Sequence, residues 1–187
     1  VEGARRIGKS TVVEEFAKNE YRSYILIDFA RANETVKGYF LEHLNDLDTF
    51  FMLLSVEYGV TLYPRESIIV FDEVQMFPKA REAIKYLVAD GRYDYIETGS
   101  LISIKENVKD IVIPSEERHI KMYPLDFEEF CWALQEEPLV GYIRSCFEKR
   151  EPLERSLHNK AMLLWGQYLL VGGCLLYTSP SPRDGLL

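Results

Sequence analysis

The chain has 187 residues, of which 47% are hydrophobic and 13% aromatic, a composition typical of a folded globular domain rather than a disordered chain. A formal net charge of −8 gives no overall electrostatic attraction to nucleic acid or to an anionic membrane. The three cysteines have no C-x-x-C spacing, and no run of the sequence approaches the roughly 20 apolar residues that cross a membrane. The sequence therefore argues against a disulfide framework, a zinc site and a membrane partner, and it predicts a cytoplasmic protein.

The first informative motif lies at the start of the chain, where residues 3–10 read G-x-x-x-x-G-K-S, the spacing of a phosphate-binding P-loop. Gly3 and Gly8 are expected to adopt backbone conformations closed to residues with a Cβ, so that successive N–H groups face an anion. Lys9 is expected to contact the β- and γ-phosphates, and the Ser10 hydroxyl to bind Mg²⁺ at the start of a helix. The predicted nucleotide-binding residues are Gly3, Ala4, Arg5, Arg6, Ile7, Gly8, Lys9, Ser10 and Thr11.

Chance can also produce this spacing, so the motif needs support from the rest of the chain. Residues 10–19 have the composition and apolar spacing of a helix, which a P-loop requires after its lysine. Residues 23–29 are almost uniformly apolar and predict a buried parallel strand, with Asp28 at its end either near the nucleotide or in a turn. An apolar stripe over residues 34–58 predicts helix packed on a sheet face and broken around residues 45–46.

The second informative stretch is residues 67–75, which read S-I-I-V-F-D-E-V-Q. Four apolar residues followed by two acids indicate a buried strand that delivers carboxylates to the carboxyl edge of a parallel sheet, the place of a Walker B acid. Asp72 is expected to hold Mg²⁺, and Glu73 to polarise the water that attacks the γ-phosphate. An ordinary strand ending in an acidic turn is the alternative, and the P-loop earlier in the chain favours the functional interpretation.

A helix and a short strand are predicted next. The helix over residues 78–90 begins at a proline and stops at Gly91. The strand over residues 95–98 then runs into a Gly-Ser pair. Thr98 and Ser100 are both candidates for a residue that contacts the γ-phosphate or orients the attacking water, and a Ser/Thr turn is the alternative.

The remainder of the chain predicts a last strand region and then several helices. Residues 111–122 form the strand region, in which Arg118 and Lys121 are either exposed edge-strand cations or phosphate ligands. Asp126 is expected to cap a helix together with Glu129. Further helices are expected over residues 139–148 and 153–170.

These predictions divide the chain into three parts. Residues 1–124 form a P-loop ATPase core with a truncated first strand, and residues 125–174 form a helical lid or the start of a C-terminal domain. Residues 175–187 form a Ser/Pro-rich tail that looks like translated adapter or vector sequence rather than native protein. The chain is accordingly expected to be a fragment truncated at both ends.

With these pieces assembled, the chain resembles the AAA+-like P-loop ATPases of prokaryotes that pair an ATPase core with a C-terminal domain of unknown function. The matching pieces are residues 3–11, 68–75, 98–100 and 123–130, which read G-A-R-R-I-G-K-S-T, I-I-V-F-D-E-V-Q, T-G-S and Y-P-L-D-F-E-E-F. The resemblance implies an α/β fold, the three-layer α/β/α arrangement of P-loop NTPases with a mainly parallel sheet, followed by a helical segment. It also implies that the strand bearing Thr98 lies between the P-loop strand and the Walker B strand.

The resemblance also assigns roles in phosphate binding, metal binding, water activation and sensing. The residues that match these roles are Lys9 and Ser10 in the P-loop, Asp72 and Glu73 in the Walker B strand, and Thr98 or Ser100 at the sensor position. Of these, the expected metal ligands are Ser10 and Asp72, and the expected catalytic residues are Glu73, Lys9, Ser100 and Thr98. Family members usually have Gly-Arg where this chain has Glu117 and Arg118, which leaves the role of Arg118 open.

The favoured interpretation is a hydrolase that binds ATP with Mg²⁺ and converts it to ADP and phosphate, coupled to an unknown task through a protein partner or a second copy of the chain. The alternative is a nucleotide-operated switch, in which hydrolysis is slow and the bound nucleotide controls a protein or DNA partner. Kinase chemistry is a third option, whereas GTP specificity has no support because no N-K-x-D run is present. Nucleic-acid binding rests on family analogy alone, and the acidic charge argues against it.

Overall fold

The computed structural model describes residues 1–100 and 117–173 of the chain. Its contacts divide the chain into two compact units, Val1–Met122 and Tyr123–Leu187, which we call the N-terminal unit and the C-terminal unit. The boundary predicted between residues 124 and 125 lies two residues from this division. The tail predicted over residues 175–187 lies outside the described residues.

The N-terminal unit alternates strands and helices. Its strands are β1 (Glu2–Gly3), β2 (Ser23–Asp28), β3 (Ser67–Asp72), β4 (Asp94–Glu97), β5 (Gly99–Ser100) and β6 (Lys121–Met122). Its helices among the described residues are α1 (Lys9–Glu20), α2 (Glu34–Glu42), α3 (Leu47–Tyr58) and α4 (Pro78–Asp90). The strand region predicted over residues 111–122 is described only from residue 117 onward, and there it contains β6.

Every strand pair among the described residues of this unit is parallel. One set has the order β2, β3, β4 and the other the order β5, β1, β6. Only Thr98 separates β4 from β5; its N–H donates to the Phe71 carbonyl at 2.8 Å, and the Gly99 N–H donates to the Val1 carbonyl at 3.2 Å. The segment that bears Thr98 therefore lies between the P-loop strand β1 and the Walker B strand β3. This confirms the predicted strand order and the mainly parallel α/β architecture.

Helices cover both faces of the buried strand β3. Its side chains alternate, because successive residues of a strand point to opposite faces. Ile69 and Phe71 belong to an apolar cluster with α2, α3 and α4, whereas Ile68 and Val70 pack with Val13 of α1. Burying each side chain of this size contributes about 1.5–3 kcal/mol. The predicted three layers are thus present, with α1 on one face of the sheet and α2 to α4 on the other.

Local capping signals set the helix boundaries. The Asn33 side chain accepts a hydrogen bond from the first turn of α2, and the Asp46 side chain does the same for α3, which explains the predicted break between them. Helix α4 begins at Pro78 and ends before Gly91, whose φ of 72° lies in the left-handed region. The predicted break around residues 45–46 and the predicted start and end of the helix over residues 78–90 are therefore confirmed.

The C-terminal unit consists of three helices in its described part. These are α5 (Phe127–Ala133), α6 (Glu137–Lys149) and α7 (Arg155–Val171). Asp126 and Glu129 form the predicted capping box at the start of α5, with the Glu129 N–H donating to Asp126 at 2.8 Å and the Asp126 N–H donating to Glu129 at 2.9 Å. Among the helices described in either unit, none is both long and apolar enough to cross a membrane.

Candidate nucleotide-binding site

The P-loop connects β1 to α1 and presents the N-terminus of that helix. Gly8 caps α1 with a φ of 89°, a left-handed conformation that glycine adopts without strain, as predicted. Its carbonyl accepts from the Val12 N–H at 2.9 Å, which begins the helical hydrogen bonds. Within the described residues no side chain caps this end, and the first turn holds no acidic residue. The N–H groups and the positive end of the helix dipole therefore remain available to an anion.

Gly3 is required for a different reason from the one predicted. Its φ is not in the left-handed region, so the expectation that it adopts a conformation closed to other residues is wrong. A Cβ on Gly3 would instead lie 2.4 Å from the Met122 carbonyl oxygen and 2.6 Å from Cδ1 of Ile7. The glycine permits close approach of β6 on one side and of the P-loop's buried isoleucine on the other.

The Lys9 side chain folds back into the P-loop. It is only 5% exposed, and its Nζ donates to the carbonyls of Ala4 at 2.7 Å and of Gly3 at 3.2 Å. Both acceptors are neutral, and no carboxylate of the described residues forms an ion pair with this ammonium group. A buried, unneutralised positive charge inside a loop of this kind favours an anionic ligand.

The predicted metal ligands meet at the carboxyl end of β3. The Ser10 hydroxyl donates to Oδ1 of Asp72 at 2.9 Å, although 62 positions separate the two residues in the sequence. Asp28 ends the neighbouring strand β2 in register with Asp72, but its carboxylate accepts from the Ala30 N–H at 2.9 Å and serves a turn. The structure therefore joins the serine of the P-loop to the first Walker B acid and gives Asp28 a local structural role.

Thr98 contacts both Walker B residues. Its side chain is 1% exposed, and its hydroxyl donates to Oδ1 of Asp72 while accepting from the Glu73 N–H at 3.3 Å. The hydroxyl is thus engaged with the candidate metal ligand. Ser100, the other sensor candidate, lies in β5 opposite Gly3, and only its backbone is described.

Glu73 stands at a turn immediately after β3. Its φ of 52° is in the left-handed region, and its carbonyl accepts from the Met76 N–H at 2.9 Å, which closes a 3-10 turn over Val74–Met76. Its carboxylate accepts a hydrogen bond from Nε2 of Gln75, a residue that the sequence interpretation did not single out. The available signal was the amide two positions after an acidic pair, at the end of the same motif.

The other predicted nucleotide-binding residues occupy the outside of the loop. Ala4, Arg5, Arg6 and Thr11 are exposed, whereas Ile7 is buried beneath them. The four exposed residues are therefore accessible to a nucleotide.

Arg118 and Lys121, predicted as either exposed edge-strand cations or phosphate ligands, are both exposed, which agrees with the first alternative. Arg81 of α4 is buried instead, and its guanidinium pairs with Glu117 at 3.0 Å. The buried cation of this region is therefore one that the sequence interpretation did not consider.

Comparison with known protein families identifies the family described as AAA domain over residues 1–131. The chain belongs to this family. The match includes the whole N-terminal unit, with the P-loop, both Walker B acids and Thr98, and it ends within α5. AAA domains are P-loop nucleotide-binding domains of the ATPase type, so membership agrees with the geometry of the loop and of β3. The search of curated proteins returned no match.

Proposed function

We propose that this AAA domain binds ATP together with Mg²⁺ and hydrolyses it to ADP and phosphate. The observation that carries the proposal is the 2.9 Å hydrogen bond from Ser10 to Asp72, which brings a P-loop hydroxyl and a Walker B carboxylate to one point. Lys9, adjacent to Ser10, holds its ammonium group inside the same loop. The candidate residues for phosphate binding, metal binding and water activation are therefore neighbours in the structure.

The donor set fits Mg²⁺. A hydroxyl and a carboxylate oxygen are the hard ligands this ion prefers, and it usually keeps several waters and substrate phosphates in addition to one or two carboxylates. In the described part of the chain no group of three or more His, Cys, Asp or Glu residues could hold a metal, which suits an ion shared with a nucleotide rather than a closed protein site. When bound, Mg²⁺ would neutralise charge on the β- and γ-phosphate oxygens.

Phosphate binding would use the loop and its lysine. The N–H groups at the start of α1 would donate to phosphate oxygens, favoured by the helix dipole. Lys9 would exchange its hydrogen bonds to the carbonyls of Gly3 and Ala4 for charge-assisted bonds to the phosphates, which are roughly twice as strong as neutral ones. The same ammonium would stabilise the charge that develops during transfer of the γ-phosphoryl group.

Glu73 would act as the general base. Its carboxylate would accept a proton from the water that attacks the γ-phosphorus, while the bond from that phosphorus to the ADP oxygen breaks. Asp72 would stay with the metal, held there by Thr98 and Ser10. The products are ADP and inorganic phosphate, and the proton taken up by Glu73 is then released to solvent.

The substitution Glu73→Gln tests this assignment. It should leave the ATP dissociation constant unchanged and lower turnover by about 10²–10⁴-fold, the usual contribution of a general base. Glu82→Gln, at an exposed position of α4 paired with Lys79, is the matched control and should change neither quantity. Unchanged turnover in Glu73→Gln would remove Glu73 from the mechanism.

The nucleotide-operated switch is the outcome to expect if the wild-type chain binds ATP tightly but releases no phosphate, with or without candidate partners. Coupling of hydrolysis to a protein partner or to a second copy of the chain stays a prediction, as does a cytoplasmic location.

A further inference from the structure

We propose that Gln75 is a positioning residue for Glu73, its buried amide holding the Glu73 carboxylate in one orientation for hydrolysis. This inference rests on the proposed function, in which Glu73 is the base. The observation behind it is the hydrogen bond from Nε2 of Gln75 to Oε2 of Glu73.

The backbone around Glu73 is fixed from both sides. Its N–H donates to the Thr98 hydroxyl, and its carbonyl accepts from the Met76 N–H. The next residue, Val74, donates its N–H to the Thr98 carbonyl at 3.1 Å. The 3-10 turn is therefore attached to the end of β4, and the freedom that remains to Glu73 lies in its side-chain torsions.

Gln75 removes that remaining freedom. It is 6% exposed, so its carboxamide is confined by packing and presents its N–H to the carboxylate from a fixed position. Oε2 of Glu73 is occupied by this bond, and within the described residues no group donates to the other oxygen, Oε1. One oxygen is thus anchored, and the second is left to accept a proton from water.

The orientation of the Gln75 amide supports a role beyond packing. Its Oε1 is buried without a hydrogen-bond partner among the described residues, a state that costs stability. The reverse orientation would place that oxygen against the Glu73 carboxylate, which would be repulsive. An apolar side chain of similar length would fill the same space without leaving a buried oxygen unpaired. The hydrogen bond that the amide N–H donates to the Glu73 carboxylate therefore explains why an amide occupies this buried position.

The test replaces Gln75 with Met, which has a similar shape and cannot donate. We expect kcat to fall by about 10–100-fold, the loss typical of a misplaced reacting group, with the ATP dissociation constant changed less than about 2-fold. Gln167→Met, at an exposed position of α7, is the matched control and should keep wild-type turnover. Gln75→Leu serves as a second variant without a donor.

A double-mutant cycle separates positioning from structure. In the Glu73→Gln background, Gln75→Met should lower the residual turnover no further, because the carboxylate it positions is already absent. Wild-type kcat in Gln75→Met, an equal fold-loss in both backgrounds, or loss of ATP binding in both Gln75 variants would overturn the inference. Failure of the proposed function itself would look different, since wild-type turnover would then be absent or insensitive to Glu73→Gln.

Discussion

At the scale of single residues, the Thr98 hydroxyl links the two Walker B acids. It donates to Asp72 and accepts from the backbone of Glu73, and the side chain is buried away from water. A single oxygen therefore orients the candidate metal ligand and tethers the turn that carries the candidate base. Such supporting contacts often matter nearly as much as the ligands themselves.

Thr98→Val removes both hydrogen bonds while keeping the shape of the side chain. We expect the Mg²⁺ concentration that gives half-maximal ATP hydrolysis to rise about 10–100-fold, because Asp72 loses the group that orients it. The free energy of unfolding should fall by about 1–3 kcal/mol, since the Asp72 carboxylate and the Glu73 N–H each lose a partner.

Thr98→Ser keeps the hydroxyl and is the control for this substitution. It should retain the wild-type Mg²⁺ dependence. An unchanged Mg²⁺ midpoint in Thr98→Val would mean that Thr98 has no influence on the metal ligand.

Glu97, the last residue of β4, is a half-buried acid outside the site. Burial raises its pKa to about 7; Glu117 adds to the rise, while Arg81 and the N-terminal amine of Val1 oppose it. Its Oε1 has no hydrogen-bond partner among the described residues. The folded chain therefore holds a proton on Glu97 at pH values where the unfolded chain, with an ordinary value of 4.5, does not.

This difference predicts how stability depends on pH. The contribution of Glu97 is fully present below the unfolded value of 4.5 and is lost as the pH rises to the folded value of about 7. The loss is on the order of 3 kcal/mol in the free energy of unfolding. Glu97→Gln should abolish that part of the pH dependence and be more stable than the wild type at about pH 8. Denaturant titrations across this range would measure it, and identical profiles for the two proteins would contradict the burial argument.

At the scale of elements, β1 depends on the absence of a side chain at Gly3. Gly3→Ala would force a Cβ against the Met122 carbonyl of β6 and against Ile7 of the P-loop. We expect it to lower the free energy of unfolding by about 1–3 kcal/mol through overpacking. ATP affinity should fall with it, because the same strand leads into the loop.

Gly38→Ala is the matched control, because the same substitution meets nothing within 4 Å there. Gly38 lies inside α2, where alanine should stabilise by about 0.5–1 kcal/mol. Thermal unfolding of the two variants should therefore shift in opposite directions. Equal shifts in the unfolding temperature of the two variants would show that the close contacts of Gly3 do not determine the stability of this unit.

Elements with local signals could be predicted from the sequence. The bounds of α4 follow from Pro78 and Gly91, and the uniformly apolar run of β3 needs burial on both faces. Contacts that depend on tertiary placement could not be predicted. The hydrogen bond from Gln75 to Glu73 requires the 3-10 turn. The ion pair from Arg81 to Glu117 joins residues 36 positions apart, and the helical pattern around Arg81 does not indicate a partner so distant in the sequence.

At the scale of the whole N-terminal unit, one segment assembles the site. Residues 94–100 pair first with β3 and then with β1, so they bring the Walker B strand and the P-loop strand to adjacent positions. This order was implied by the family resemblance and could not be derived from the residues, since periodicity does not fix which strands become neighbours. Once the order is set, the carboxyl ends of β1, β3 and β4 meet at one edge, the usual ligand edge of parallel sheets.

The central claim is that ATP binds at the P-loop through Lys9, and the ATP dissociation constant in the presence of Mg²⁺ tests it most directly. Lys9→Ala should weaken binding by about 10–100-fold, the range for losing hydrogen bonds from a charged group. Lys18→Ala, on the same helix but exposed and paired with Glu14 and Glu15, should bind ATP like the wild type. Equal affinity in Lys9→Ala and Lys18→Ala would contradict the assignment of the nucleotide site.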